Sequence, residues 1–403
     1  MSKVIGVGII GCGNISWAYL KLSKLFKDIE VKAVADINMD ATKARAAVFG
    51  VRAHTVKELL KQDDIDIVVN LTVPATHYKV SKQILDAGKH VYSEKPLTLS
   101  YKDALALQKY AAKKKLRVCS APDTFLGSSH QQARAAIDAG DIGKIISGTC
   151  HFMGPGMEMW HPNPDFFFKP GGGPVLDMGP YYITNLINLI GPVKRVAALL
   201  GTGRKERVIN SQPNNPRNGE KLKVKTPTTY HALLEFVNGA CVTVSLSWDV
   251  WAHKHQNMEL YGQTGAMFVP DPNFFGGDVM VAGSDQTPKA MKAWDHPFGV
   301  NNWGHANSQT DVVWANYRCA GLADMASAIK RKKLARCDIS MVAHVVEVMT
   351  AMMDAGTSHK VVTLKSTCKR PAPLGPDDAR ALANNHRTRR LARLLRHRSW
   401  RGR

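Results

Sequence analysis

Over the first 120 residues short apolar runs alternate with helical stretches, and this alternation leaves few folds open. The runs at 4–10, 31–35, 65–71, 90–93 and 118–120 are strand-like, whereas 17–26, 41–49, 77–87 and 101–114 are helical in pattern. Regular alternation predicts a parallel sheet joined by right-handed helical crossovers. The 65–71 run carries almost no polar residue after Asp66, as expected of a strand covered on both faces. In such sheets ligands bind outside the carboxyl ends of the strands. The tripeptide Glu94-Lys95-Pro96 directly follows the 90–93 run, which puts one lysine in that position.

Between the first strand and the first helix lies Gly11-Cys12-Gly13-Asn14-Ile15-Ser16. The first glycine permits a tight turn, and the second lets backbone N–H groups approach a pyrophosphate. Ser16 holds the third position, where glycine or alanine is usual, and is small enough for close helix–strand packing. Asp36 ends the second strand, where a carboxylate binds the adenine ribose hydroxyls. The same charge repels a 2′-phosphate, and neither Ile37 nor Asn38 supplies a cation. NAD is therefore expected over NADP.

After about residue 121 the pattern changes. A helix is expected over 131–139, and strand-like runs follow at 145–152, 195–200, 230–236 and 241–248. Asn238-Gly239 is a hairpin signal between the last two runs. Later helices are expected over 324–330 and 341–353, and the Pro-, Asn- and Lys-rich stretch 211–228 reads as an exposed loop. The expected fold class is α/β in two domains. Residues 1–121 form a parallel-sheet domain. Residues 122–368 form a second α/β domain with a large, mostly antiparallel open sheet. Residues 369–403 read as a basic, disordered tail.

A net charge of +21 invites a nucleic-acid partner, but its distribution argues against one for the folded body. From 379 to 403 there are nine arginines, no lysine and no acidic residue, so much of the excess belongs to one terminal segment. Leu382, Leu391, Leu394 and Leu395 could line one face of a basic helix for a membrane surface or nucleic acid. A charged, disordered extension is the plainer reading. Seven scattered cysteines without CxxC spacing suggest neither a disulfide framework nor a zinc site, and no metal is expected. No apolar run reads as bilayer-spanning and no signal peptide is evident, which points to the cytoplasm.

Four segments resemble the glucose–fructose oxidoreductase/inositol dehydrogenase (Gfo/Idh/MocA) family. They are the 11–16 turn, Thr72-Val73-Pro74-Ala75-Thr76-His77, Glu94-Lys95-Pro96, and the 171–181 segment running from Gly171-Gly172-Gly173 through Asp177 to Tyr181. The resemblance spans roughly 3–374. It implies a Rossmann domain followed by an α/β domain whose open sheet commonly forms the oligomer interface, hence a homodimer or homotetramer. It also implies that Gly11, Gly13, Asn14, Ile15, Asp36, Thr72, Pro74, His77, Glu94 and Lys95 hold the cofactor. Lys95, Asp177 and Tyr181 would be catalytic, with Tyr181 standing where histidine is usual.

The chemistry of these residue types agrees. A partly desolvated lysine beside a positive nicotinamide should have a lowered pKa and could exchange a proton with a substrate hydroxyl. An adjacent ammonium would favour the Tyr181 phenolate, so Lys95 and Tyr181 could act as a unit. On a helix, the i, i+4 spacing puts Asp177 and Tyr181 on one face. Trp160, His161 and Asn163 could form a pocket wall, with Asp123, Asp177 and Tyr181 as further substrate contacts. Arg318 could meet an acidic substrate group, although an ion pair is the expected role. The function implied is NAD-dependent oxidation of a secondary hydroxyl on a sugar, glycoside or cyclitol, with no membrane partner. The alternatives are an NAD-dependent redox-assisted glycosidase and a non-catalytic dinucleotide-binding regulator.

Overall fold

The computed structural model describes residues 4–302 and 315–384. Its first layer is a six-stranded sheet of β1 (Ile5–Ile10), β2 (Ile29–Ala35), β3 (Arg52–His54), β4 (Ile67–Asn70), β5 (His90–Ser93) and β6 (Val118–Ser120). The strand order is β3-β2-β1-β4-β5-β6, and every pairing is parallel. Every residue of β1 and β4 is buried, which explains their unbroken apolar character. The crossovers carry α1 (Ser16–Leu22), α2 (Met39–Phe49), α3 (Val56–Leu59), α4 (His77–Asp86) and α5 (Tyr101–Lys114). The order reverses between β1 and β4, where such sheets open a crevice for ligands. The polar edge strand β3 is not foreseen: Arg52 and Ala53 are exposed, so it shows no apolar pattern.

The second half begins with α6 (Ser128–Ala139), β7 (Ile145–Met153), α7 (Pro174–Leu189) and β8 (Val193–Gly201). A two-stranded ladder joins β9 (Glu206–Val208) to β10 (Lys221–Lys223). Then come β11 (Thr229–Phe236), β12 (Cys241–Ser247), β13 (Met258–Gly262), β14 (Ala266–Val269), β15 (Met280–Ala282) and β16 (Lys289–Ala290). The chain continues through α8 (Ala320–Lys330), α9 (Ile339–Ser358), β17 (Val362–Thr363) and α10 (Pro376–Leu382). Nine strands form one sheet in the order β16-β15-β14-β13-β7-β12-β11-β8-β17. All its pairings are antiparallel except β7 with β12. The hairpin at Asn238-Gly239 joins β11 to β12, with Gly239 at φ +91°. Along β11 the residues Tyr230, Ala232, Leu234 and Phe236 are buried while their neighbours are not, so one face is covered by α7 and α9.

Three sequence expectations need correction. The 211–228 stretch is not all exposed loop: it contains β10, and Leu222 and Thr228 are buried. Helix α9 is long and apolar enough to cross a membrane by length and composition, yet most of it is buried against α5, α7 and β8. Residues 369–384 are packed rather than tail-like. The Leu374 N–H donates to Gln131 (2.6 Å), Leu374, Ala379 and Leu382 are buried, and the Lys27 N–H donates to the Leu382 carbonyl (3.2 Å). The basic stretch from 385 onward lies outside the described residues.

Candidate active site

The turn after β1 shows why glycine is required. Gly11 sits at φ +108°, and a Cβ there would stand 2.6 Å from the backbone of Leu71. At Gly13 a Cβ would meet nothing within 4 Å, so the turn presents an open cradle. Ser16 does more than stay small, because its hydroxyl donates to the Gly13 carbonyl at 2.6 Å and closes the turn. The Asp36 carboxylate accepts from the N–H of Cys12 (2.7 Å) and of Asn38 (2.9 Å). Arg45, from α2, donates to the carbonyls of Cys12 (3.2 Å) and Gly13 (3.3 Å) and lies over the Trp17 ring. That cation approaches the turn from the next helix, not from the residues that follow Asp36.

Asn14, Ile15, Thr72, Pro74, His77, Glu94 and Lys95 line one cavity of about 320 Å³ together with Asp177 and Tyr181. Gly11, Gly13 and Asp36 lie outside its lining, at the turn and strand end that lead to it. His77 is deeply buried, and its ring nitrogens face the carbonyls of Pro96 (2.7 Å) and Thr72 (2.8 Å). Burial pushes its pKa down, and the two carbonyls only partly oppose this. A neutral ring carries one N–H, so His77 donates to one of these carbonyls and stands against the other, packed between the Thr72 turn and the cis Lys95-Pro96 link.

Lys95 donates to Asp177 twice, to Oδ1 at 2.8 Å and to its main-chain oxygen at 2.7 Å. Its Nζ stands 4.9 Å from the centroid of the Tyr181 ring. Burial alone pushes the lysine pKa down, but Asp177, Tyr181 and Glu94 reverse this and hold the ammonium above its ordinary range. This is opposite to the lowered value expected from sequence, which counted desolvation without the direct contact to Asp177.

Asp177 and Tyr181 lie one turn apart on α7, as their spacing predicts. The cation at the Tyr181 hydroxyl is Arg318, whose Nη2 donates to Oη at 3.3 Å, rather than Lys95. Glu94 accepts from the Tyr19 hydroxyl (2.8 Å) and the Lys95 N–H (3.0 Å), and it faces Arg318 at 4.0 Å.

Trp160 and His161 line the same cavity, joined by Phe166 and Phe167, which sequence pattern did not single out. The His161 ring stands edge-on to all three aromatics, and burial lowers its pKa. Asn163 is not in the lining; it is exposed, and its side-chain Oδ1 accepts from Arg217 at 3.2 Å. Asp123 is not a cavity residue either. It is buried and accepts from the N–H groups of Cys319 (3.1 Å) and Gly321 (3.0 Å), which fastens the start of α8. Burial raises its pKa to about 6. Among the described residues no cluster of His, Cys, Asp and Glu is arranged to hold a metal.

Residues 5–121 match the model for the oxidoreductase family's NAD-binding Rossmann fold, and residues 130–268 match the GFO/IDH/MocA C-terminal domain. The chain belongs to the Gfo/Idh/MocA family. Among curated relatives of this family, an uncharacterized oxidoreductase of Schizosaccharomyces pombe is 32% identical over 208 residues, 50% of this chain and 55% of that protein. The chain thus spans about half the length of that relative. A levoglucosan dehydrogenase of Pseudarthrobacter phenanthrenivorans is 26% identical over 350 residues, 77% of this chain and 87% of that protein. A solved levoglucosan dehydrogenase, in complex with NADH and L-sorbose, superposes with a TM-score of 0.73 at 21% identity, over 90% of this chain and all of that one. The shared fold places the Gfo/Idh/MocA glycine turn at the switch between β1 and β4. The open cradle at Gly13 and the lining by Asn14, Ile15, Thr72 and Pro74 fit the NAD that the family's first domain binds.

Proposed function

We propose that this oxidoreductase takes hydride from a secondary hydroxyl of a sugar, glycoside or cyclitol. The contact of Lys95 with Asp177, beside Tyr181 and next to the glycine turn, carries this reading. Bound NAD supplies the hydride acceptor. The 11–15 turn, Asp36, Thr72, Pro74, Glu94 and Lys95 would hold it. Two N–H bonds of the Lys95 ammonium go to Asp177, which leaves a third for a substrate oxygen. The Lys95 ammonium donates to the substrate oxygen and Tyr181 takes the hydroxyl proton, while Asp177 orients the lysine. Trp160, Phe166 and Phe167 give the cavity an apolar wall that suits the C–H face of a ring.

The Asp36 carboxylate favours NAD over NADP, and Arg45 is engaged with two carbonyls and the Trp17 face. Exposed Leu199 and Leu233 on the open face of the large sheet support a homodimer or homotetramer. The names of relatives, an inositol 2-dehydrogenase and a levoglucosan dehydrogenase among them, agree with a polyhydroxylated substrate.

The test is a panel of sugars, cyclitols and glycosides offered with NAD and with NADP, following nicotinamide absorbance and released aglycone together. Net NADH formation is expected. Glycoside cleavage without net NADH would replace the reading with redox-assisted bond cleavage. Lys95→Met should lower kcat by about 10²- to 10⁴-fold. Unchanged turnover of a confirmed substrate would remove Lys95 from the mechanism.

A further inference from the structure

Tyr181 and Arg318 stand 137 residues apart in the chain and meet inside the cavity. A tyrosine hydroxyl can donate once and can also accept. Here the guanidinium Nη2 occupies an acceptor position of the Tyr181 oxygen at 3.3 Å. Among the described residues no protein group accepts the Tyr181 proton. Lys95 cannot play this part, because its ammonium lies over the ring and donates to Asp177.

Resting on the oxidoreductase reading above, we infer that Arg318 is the positioning residue of Tyr181. It keeps the hydroxyl directed toward bound substrate and stabilises negative charge on that oxygen while a substrate hydroxyl gives up its proton.

Arg318 is itself held from the cofactor side. Its Nε faces Glu94 Oε1 at 4.0 Å, and its N–H donates to Asn316 at 3.2 Å. Glu94 is fixed in turn by Tyr19 and by the Lys95 N–H. A guanidinium already facing a carboxylate is poorly placed to capture an anionic substrate group. It is well placed to meet charge that develops only during reaction.

The substrate O–H bond breaks and its proton bonds to the ionised Tyr181 oxygen. Bound oxidised nicotinamide would accept the C–H electron pair as hydride, and the carbon–oxygen bond would become a carbonyl. In reverse, the Tyr181 O–H returns the proton to the carbonyl oxygen as hydride arrives at carbon.

The test uses full-length Arg318→Gln and Arg318→Lys, each alone and combined with Tyr181→Phe. Arg318→Gln should lower kcat for oxidation by about 10- to 100-fold, shift its rising pH limb upward and change KM little. Arg318→Lys should restore part of the loss, and in the Tyr181→Phe background Arg318→Gln should cost little more. A second readout needs no substrate. The tyrosinate ultraviolet band of Tyr181, taken as the difference from the matching Tyr181→Phe protein, should emerge at higher pH without Arg318.

An unshifted band, an unmoved pH limb or an equal kcat loss in both backgrounds overturns the inference. A Tyr181→Phe protein with wild-type kcat overturns it too. A substrate panel with no turnover sinks the functional reading alone, and the band shift still decides the pairing.

Discussion

Lys95 keeps its proton because its neighbours outweigh its burial, with Asp177 first among those that raise its pKa. Such a lysine serves better as a fixed hydrogen-bond donor than as a base at neutral pH. The consequence can be read in a pH profile. With its pKa above the ordinary lysine range, the wild-type ammonium persists through neutral and moderately alkaline pH, and no falling limb from Lys95 is expected there. Asp177→Asn removes the largest of the opposing charges and leaves only Tyr181 and Glu94 against desolvation, so the ammonium is lost at lower pH. A falling alkaline limb should then appear in kcat/KM, on top of a loss of about 10-fold or more from misorientation of the lysine. An unchanged limb in the variant would mean that Lys95 does not act through its ammonium.

Elements that bury both faces or carry a long alternating run were readable from sequence, and elements defined by distant partners were not. β1 and β4 announce themselves because water reaches neither face, and α5 (Tyr101–Lys114) lies where its pattern puts it. The site was legible in the same way wherever a motif sits on one such element: Lys95 after β5, Asp177 and Tyr181 on α7. Phe166 and Phe167 lacked any local signature, and Arg318, readable only as a contact for an acidic group or an ion pair, meets Tyr181 only in the folded chain.

The same holds for β9 and its residue Arg207, fully buried among Glu158, Asp249 and two carbonyls. Glu158 belongs to the segment that carries Trp160 and His161, so this buried cluster anchors the aromatic wall. Breaking one partner of a buried ion pair costs about 3–5 kcal/mol. Arg207→Met should therefore lower the thermal midpoint measurably and raise KM more than it lowers kcat. A variant with unchanged melting and unchanged KM would show that the cluster supports neither the fold nor the wall.

The molecule as a whole is closed by its carboxyl-terminal third, which returns to the first domain. α8 packs near β2 and β6, with Lys330 paired to Asp28 at 2.9 Å. Ala383 bridges to Phe26, and Arg336 joins Asp324 to the 372–378 segment. The terminal charge and the terminal packing are therefore separable, since eight of the nine late arginines lie beyond residue 384. Every residue lining the cavity at Lys95 falls between Asn14 and Arg318. Deleting 385–403 should leave kcat/KM for a confirmed substrate within about 2-fold of wild type, because it removes none of the residues that line the cavity. Deleting 369–403 should behave differently. It uncovers the surface buried by Leu374, Ala379 and Leu382, and each leucine is worth roughly 1.5–3 kcal/mol when fully buried. The longer deletion should melt well below the shorter one in a thermal scan. Equal melting of the two would show that 369–384 adds nothing to the fold, and lost activity in the shorter deletion would assign the basic stretch a part in turnover.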